Sequence, residues 1–142
     1  MIENHMDKRL FFLLNMAQHK LFRYADQRCQ DECGISVTQM GMLMYLKQQP
    51  NCQQKQAAAA LGLYKPAVTG LVNRLVEQQL IQRSPCPQDG RAMLLSLTPT
   101  GLEKAIAAKP LIAELNQQLC DDFTEDDINT VLRFLNHLMT RF

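Results

Sequence analysis

Among the side chains that can carry charge, bind metal or act as nucleophiles, only the bases gather in one place. Between Lys47 and Arg91 stand Lys47, Lys55, Lys65, Arg74, Arg83 and Arg91, against the acids Glu77 and Asp89 alone. Six bases against two acids give this stretch a charge of +4. The remaining nine bases and twelve acids give the rest −3, although the whole chain carries only +1. A basic middle between acidic ends suits a polyanion such as nucleic acid held on a soluble body. Chance clustering of a few charges is the plainer reading. The overlap of this stretch with a helix–turn–helix pattern favours the first.

The other reactive groups are dispersed. Five cysteines are an odd number with no paired spacing, so in a cytosolic chain they are read as thiols. Cys29 and Cys33, four apart on one helical face, could oxidise or bind metal with an outside ligand; two half-buried small residues is the favoured alternative. Cys86, between Pro85 and Pro87, is expected to be exposed. His5, His19 and His137 form no i, i+3 or i, i+4 pair, and no metal site is expected. No Ser-His-Asp set, glycine-rich phosphate loop or paired carboxylate motif is found, so there are no catalytic candidates, no cofactor is implied and an enzyme is not expected. The N-terminus lacks a basic region followed by an apolar core, and no run approaches the roughly 18 apolar residues of a membrane span. The cytoplasm is the expected location, with no membrane partner.

A coarse reading of elements places the basic stretch. A long helix is expected from Met6 or Asp7 to Cys33, with Leu10, Phe11, Leu14, Ala17, Leu21 and Ala25 on one broad face widened by Phe12, Leu13 and Met16. Gly34 fits its stop. Ser36 with Gln39 reads as a capping box opening a helix to about Gln48, with Met40, Leu43, Met44 and Leu46 inward. Pro50-Asn51 breaks it, and Asn51 or Cys52 opens a short helix packed through Ala57 to Leu61 and closed by Leu61-Gly62. The next helix, about Lys65 to Gln78, places Val68, Leu71, Val72, Leu75 and Val76 on one apolar face. Ala67, Gly70, Asn73 and Arg74 lie opposite. Tyr64 cannot cap this helix locally, and Pro66 is tolerated in its first turn. Leu80–Arg83 and Met93–Leu97 read as strands, joined through Asp89-Gly90 as a positive-φ hairpin turn. Thr98-Pro99 starts a helix running towards Asp122, kinked at Pro110. Thr124 and Asp127 cap the last helix, whose stripe is Ile128, Val131, Leu132, Leu135, Leu138, Met139 and Phe142. The fold expected is mainly α with a small β-hairpin wing: a winged helix-turn-helix over residues 35–98 and a helical dimerisation lobe from residues 1–34 and 99–142.

The run Asp89-Gly90-Arg91-Ala92-Met93-Leu94-Leu95-Ser96-Leu97-Thr98-Pro99-Thr100-Gly101, thirteen residues in order, resembles the signature of the MarR family of bacterial transcription regulators. Ala57 to Arg83 is similar to that family's helix-turn-helix, through Val68-Thr69 and Leu71-Val72-Asn73-Arg74-Leu75. The resemblance implies a homodimer built by the terminal helices, with a winged helix in each subunit. Two-fold symmetry then predicts a pseudo-palindromic site on double-stranded DNA, with recognition helices about 34 Å apart. It also implies a small aromatic or phenolic effector in the crevice beside the lobe, where Phe12, Met16, Met40, Met44 and Tyr45 would fall. Ordinary core filling is the favoured reading of each of those residues taken singly.

On that basis Lys55, Thr69 and Arg74 are assigned to phosphates. Lys65 is the long base-reading side chain, Ala67 meets a thymine methyl, and Asn73 reads adenine if it is not too far along the helix. Arg91 enters the minor groove while Asp89 pairs with it, serves turn chemistry, or does both. Arg83 braces the hairpin. Gly70 is either a close approach to DNA or to another backbone, or simple tolerance in a packed helix. The expected function is a ligand-relieved repressor. The alternatives are a thiol- or metal-responsive regulator using Cys29 and Cys33, and a winged helix used for protein contact alone.

Overall fold

The computed structural model describes residues 6–142. Residues 1–5, on which the absence of a leader segment and the position of His5 bear, lie outside the described residues. The chain divides into two compact units, one ending at Ala108 and one comprising Lys109–Phe142.

The first unit begins with α1 (Leu10–Cys33). The expected start at Met6 or Asp7 is too early. The Asp7 carboxylate accepts the Arg9 backbone N–H at 3.0 Å and pairs with its guanidinium at 2.8 Å, which makes a local turn before the helix. That pairing holds the Asp7 carboxyl below its ordinary range and raises Arg9. Gly34 ends α1 at φ 72°, a left-handed conformation that glycine adopts without cost. Then α2 (Val37–Gln48) opens on the expected capping box of Ser36 and Gln39. Met40, Met42, Leu43 and Leu46 are buried along it; Met42 takes the inward position expected of Met44, which is half-buried.

Next comes a two-residue strand, β1 (Cys52–Gln53), ahead of α3 (Gln54–Leu61). The expected helix start at Asn51 or Cys52 is therefore corrected. Asn51 is left-handed at φ 58°, Cys52 pairs with Leu95, and Gln53 with Gln56 forms the capping box instead. Of the alanine run only Ala57 is buried. The recognition helix α4 (Lys65–Glu77) follows, then β2 (Ile81–Cys86) and β3 (Asp89–Leu97), giving an antiparallel sheet in the order β1-β3-β2.

The hairpin turn is not where the Asp-Gly pair placed it. Cys86 pairs with Asp89, so the turn is Pro87-Gln88, and Gly90 lies in β3 without a positive φ. Pro87 supplies the fixed φ that the turn's first central position favours. Pro85 pairs with Met93 while Cys86 pairs with Asp89, so Gly90, Arg91 and Ala92 form a bulge with no opposite residues. Cys86 is buried at this irregularity, not exposed.

The unit closes with α5 (Pro99–Ala107). Its cap explains the Leu-Thr-Pro-x-Gly run. Thr98 Oγ1 accepts the Gly101 N–H at 3.0 Å and donates to the Gln79 carbonyl at 2.7 Å, while the Thr98 N–H reaches the Leu80 carbonyl at 3.1 Å. A Cβ on Gly101 would stand 1.9 Å from the Leu80 oxygen, so only glycine fits. The core of this unit is Met42, Leu43, Leu46, Val68, Val72, Leu75, Ile81 and Leu95.

In the second unit α6 (Lys109–Cys120) follows a break at Ala108, so the helix expected to run on from Thr98 is two helices. Pro110 stands in the first turn of α6, where no amide donor is needed. The last helix, α7 (Glu125–Arg141), opens on the Thr124–Asp127 capping box, with three acids in its first turn favourably placed at the helix dipole. None of its residues is buried. No helix among the described residues is long and apolar enough to cross a membrane.

Candidate nucleic-acid interface

The sequence of α4 divides its residues between two environments. Val68, Leu71, Val72 and Leu75 are buried against the core. Lys65, Ala67, Gly70, Asn73 and Arg74 are all exposed. Nothing lies within 4 Å of a Cβ built on Gly70, so that glycine accommodates no neighbour of its own chain; it leaves a flat spot on an open surface. Tyr64 occupies the N-cap without capping and is 84% exposed.

The turn before α4 is set by Gly62, left-handed at φ 64°, and by the Leu63 N–H bonded to the Ala58 carbonyl at 3.0 Å. Thr69 is spent within the protein. Its hydroxyl donates to the Lys65 carbonyl at 2.9 Å and accepts from Gln54 Nε2 at 3.3 Å. It thus fastens α4 to α3, with its proton given to the Lys65 carbonyl. Asn73 is likewise engaged: its Oδ1 accepts from the Arg83 guanidinium. Arg83 therefore braces β2 to α4 through the Asn73 amide oxygen.

On the wing, Asp89 Oδ1 accepts the Arg91 backbone N–H at 3.0 Å. Asp89 thus serves the turn chemistry that the sequence offered as one reading, and Arg91 is exposed beside it. Between α3, the start of α4 and β3 lies an open cleft of about 630 Å³. Lys55, Lys65, Arg91 and Asp89 are in its lining, over a floor that includes Ala58, Val68, Ala92 and Met93. No ion pair among the described residues involves Lys55, Lys65, Arg74 or Arg91. Three cations thus share one cleft with a single acid whose carboxylate is already bonded to backbone. That is a surface arranged for an anion it does not itself supply.

The residues expected to line an effector crevice have mixed settings. Met40 is sealed in the core, Met44 and Tyr45 are half-buried, and Phe12 and Met16 on α1 are more than a third exposed. Cys29 is buried, and burial, then the neighbouring Cys33 and carboxylates, push its thiol up from the ordinary value; burial raises Cys52 too. Both thiols are kept protonated, which opposes reactivity. No group of three or more His, Cys, Asp or Glu among the described residues could hold a metal.

Two residues of the site escaped sequence reasoning. Gln54 and Gln78 hold α4 by side-chain hydrogen bonds to Thr69 and Gln39. Nothing in their spacing announces a partner fifteen or thirty-nine positions away.

Residues 34–92 match the model of the MarR family, which takes in α2, the helix-turn-helix and the wing tip. The chain is similar to the transcriptional regulator ZitR of Lactococcus lactis subsp. cremoris, 28% identical over 145 residues, covering 99% of this chain and 98% of that protein. Among solved structures, the S. aureus MepR-DNA complex superposes with a TM-score of 0.86 at 26% identity, covering 96% of this chain and 100% of that one. A MarR/EmrR family transcriptional regulator from Acinetobacter sp. ADP1 does so with a TM-score of 0.86 at 25% identity, covering 95% of each. These relatives are named as regulators, and the two solved structures share the helical architecture and the small antiparallel wing. Residues 34–92 thus match the MarR family model, and the chain as a whole is similar in sequence and fold to DNA-binding winged helix-turn-helix transcription regulators.

Proposed function

We propose that this chain acts as a homodimer that holds a pseudo-palindromic operator between two winged helices, and that it is a repressor released by a small aromatic or phenolic effector. The observation that carries the DNA reading is the cleft between α3, α4 and β3, with the charged groups of Lys55, Lys65 and Arg91 in no ion pair among the described residues. Lys55 and Arg74 take phosphates, Lys65 and Ala67 face base edges at the start of α4, and Arg91 enters the minor groove from the bulged wing. Asn73 and Thr69 shape this face and Asp89 holds the bulge. Gly70 lets the helix lie close to the duplex. The solved DNA complex of MepR, similar over nearly the whole chain, supports this arrangement.

The dimer reading rests on apolar surface. Along α1, Leu10, Phe11 and Phe22 are exposed, Phe11 to 89%. Along α7, Val131, Leu132, Leu135 and Met139 are exposed, Met139 to 82%. A soluble chain seldom leaves so much unpartnered. The terminal helices, residues 1–34 and 99–142, would form the shared lobe. Residues 35–98 would form the DNA-binding part, placed in the cytoplasm with the DNA. The effector reading rests on the family resemblance and on the adaptable apolar character of half-buried Met44 and Tyr45 and partly exposed Phe12 and Met16, with Met40 in the core beneath α2.

Selection of bound sequences from random duplexes tests the first claim. Recovery of an inverted repeat whose half-sites are about one helical turn apart is expected. Recovery of unrelated sequences would overturn it. Release of the selected duplex by phenolic compounds, and not by peroxide or chelators, is the expected outcome of the second experiment.

A further inference from the structure

Gln39 is the one polar residue buried in the core among the described residues, 9% exposed. Its amide is fixed at both ends. Oε1 accepts the Ser36 N–H at 2.9 Å in the capping box of α2. The NH2 group must then point the other way, and it donates to Gln78 Oε1 at 3.2 Å. Because the capping bond fixes which atom is oxygen, the donor in this second bond is not ambiguous. Gln78 is the C-cap of α4, at the end of the recognition helix.

The neighbours of this bond extend its reach. The N–H of Val37, the first residue of α2, is taken by the α1 carboxylate Asp26 at 2.9 Å. On the other side, Gln79, left-handed at φ 61°, is held by Thr98 at the start of α5. Lys104 of the same helix donates to the Cys33 carbonyl at the end of α1, at 2.6 Å. The end of α4 is therefore tied to α1 by two polar routes, through α2 and through α5. The α2 route passes through a single side-chain hydrogen bond.

We infer that Gln39 and Gln78 are positioning residues: the Gln39–Gln78 bond sets the angle at which the recognition helix is presented, and so the discrimination between operator and unrelated DNA. This rests on the reading of the chain as a DNA-binding protein. Neither residue need touch a base. A helix pivoted at its far end still meets phosphates, but its base-reading residues near Lys65 shift.

The test compares affinities for the selected duplex and a scrambled one of equal length, so that general charge effects cancel. Gln78→Met removes the acceptor from an exposed position and leaves the capping box of α2 intact. The ratio of specific to non-specific affinity should fall about five-fold, the effect of one hydrogen bond of typical net strength. The dependence of affinity on salt should not change, because no phosphate contact is lost. Gln78→Glu keeps an acceptor for the Gln39 NH2 group and should retain the ratio. In the double variant Gln39→Glu with Gln78→Glu, two acceptors face each other, and the ratio should fall as in Gln78→Met. Thermal unfolding of Gln78→Met within a few degrees of the unaltered chain would show that the effect is not global. An unchanged ratio in Gln78→Met, while the unaltered chain discriminates, would overturn the inference alone. Equal binding of both duplexes by the unaltered chain would overturn the DNA reading beneath it.

Discussion

The region from Cys52 to Gly101 and the two long helices α1 and α7 treat the same kind of pattern in opposite ways. In α4 the apolar stripe is consumed within the chain: Val68, Leu71, Val72 and Leu75 are all buried. The polar atoms around it are consumed as well, Thr69 by Lys65 and Gln54, Asn73 by Arg83, and Asp89 by the Arg91 backbone. What remains unsatisfied there is charge. In α1 and α7 the apolar residues remain outside, with Cys29 the only buried residue of α1 and none buried in α7. What remains unsatisfied there is apolar area. An uncommitted basic cleft asks for a polyanion, and uncommitted apolar faces ask for another protein surface. A regulator that binds DNA as a pair needs both.

Breaking the apolar side should give the largest effect. Leu132→Glu on α7 would place a carboxylate in the proposed subunit contact. Burial of an unpaired charge costs several kcal/mol, so association should weaken by about 100-fold or more. Light scattering after size-exclusion chromatography would read this as a shift from dimer to monomer. Gly101→Ala attacks the anchor of the other region. With its Cβ 1.9 Å from the Leu80 carbonyl oxygen, it should lower unfolding stability by about 3 kcal/mol in a denaturant titration. Arg91→Ala leaves both folds intact. It should cost about 1–2 kcal/mol of DNA affinity and reduce the salt slope by about one, read by mobility shift at several salt concentrations. Asp89→Asn should have the smallest effect, within about 0.5 kcal/mol in the same assay, because the amide oxygen still accepts the Arg91 N–H. A large loss there would restore a side-chain pairing with Arg91 in the complex. Alkylation gives an independent check on the buried thiols. Cys120 is exposed, whereas Cys29 is buried with its thiol pushed up. At neutral pH Cys120 should be modified first and Cys29 only on unfolding, as mass spectrometry of timed samples would show.

Much of this was legible in the sequence. The helical periods of α4 and α7, the Ser36–Gln39 and Thr124–Asp127 capping boxes and the stop at Gly34 depend on local chemistry, and local chemistry is written in short spacings. The run ending at Gly101 was recognisable as a motif, while its cause, the approach of Gly101 to Leu80, needed the fold. The wing shows where local signals compete. Asp89-Gly90 is a good hairpin signal, yet Pro87 two residues earlier took the turn and left Gly90 in a bulge. β1 was missed because two residues carry no period. Burial of Cys86 was missed for a related reason, since flanking prolines speak of exposure and say nothing of a register shift beside the thiol. Gln39 shows the remaining limit. Its role in the α2 cap could be read from its distance to Ser36, while its bond to Gln78 joins distant parts of the chain.

The central claim is that two copies of this chain together grip one duplex by charge and shape. The mass of the complex formed with the selected duplex, measured while salt is raised from about 50 to 200 mM, tests it most directly. The account predicts two chains per duplex and an affinity falling by at least about ten-fold over that range. One chain per duplex, or an affinity indifferent to salt, would contradict it.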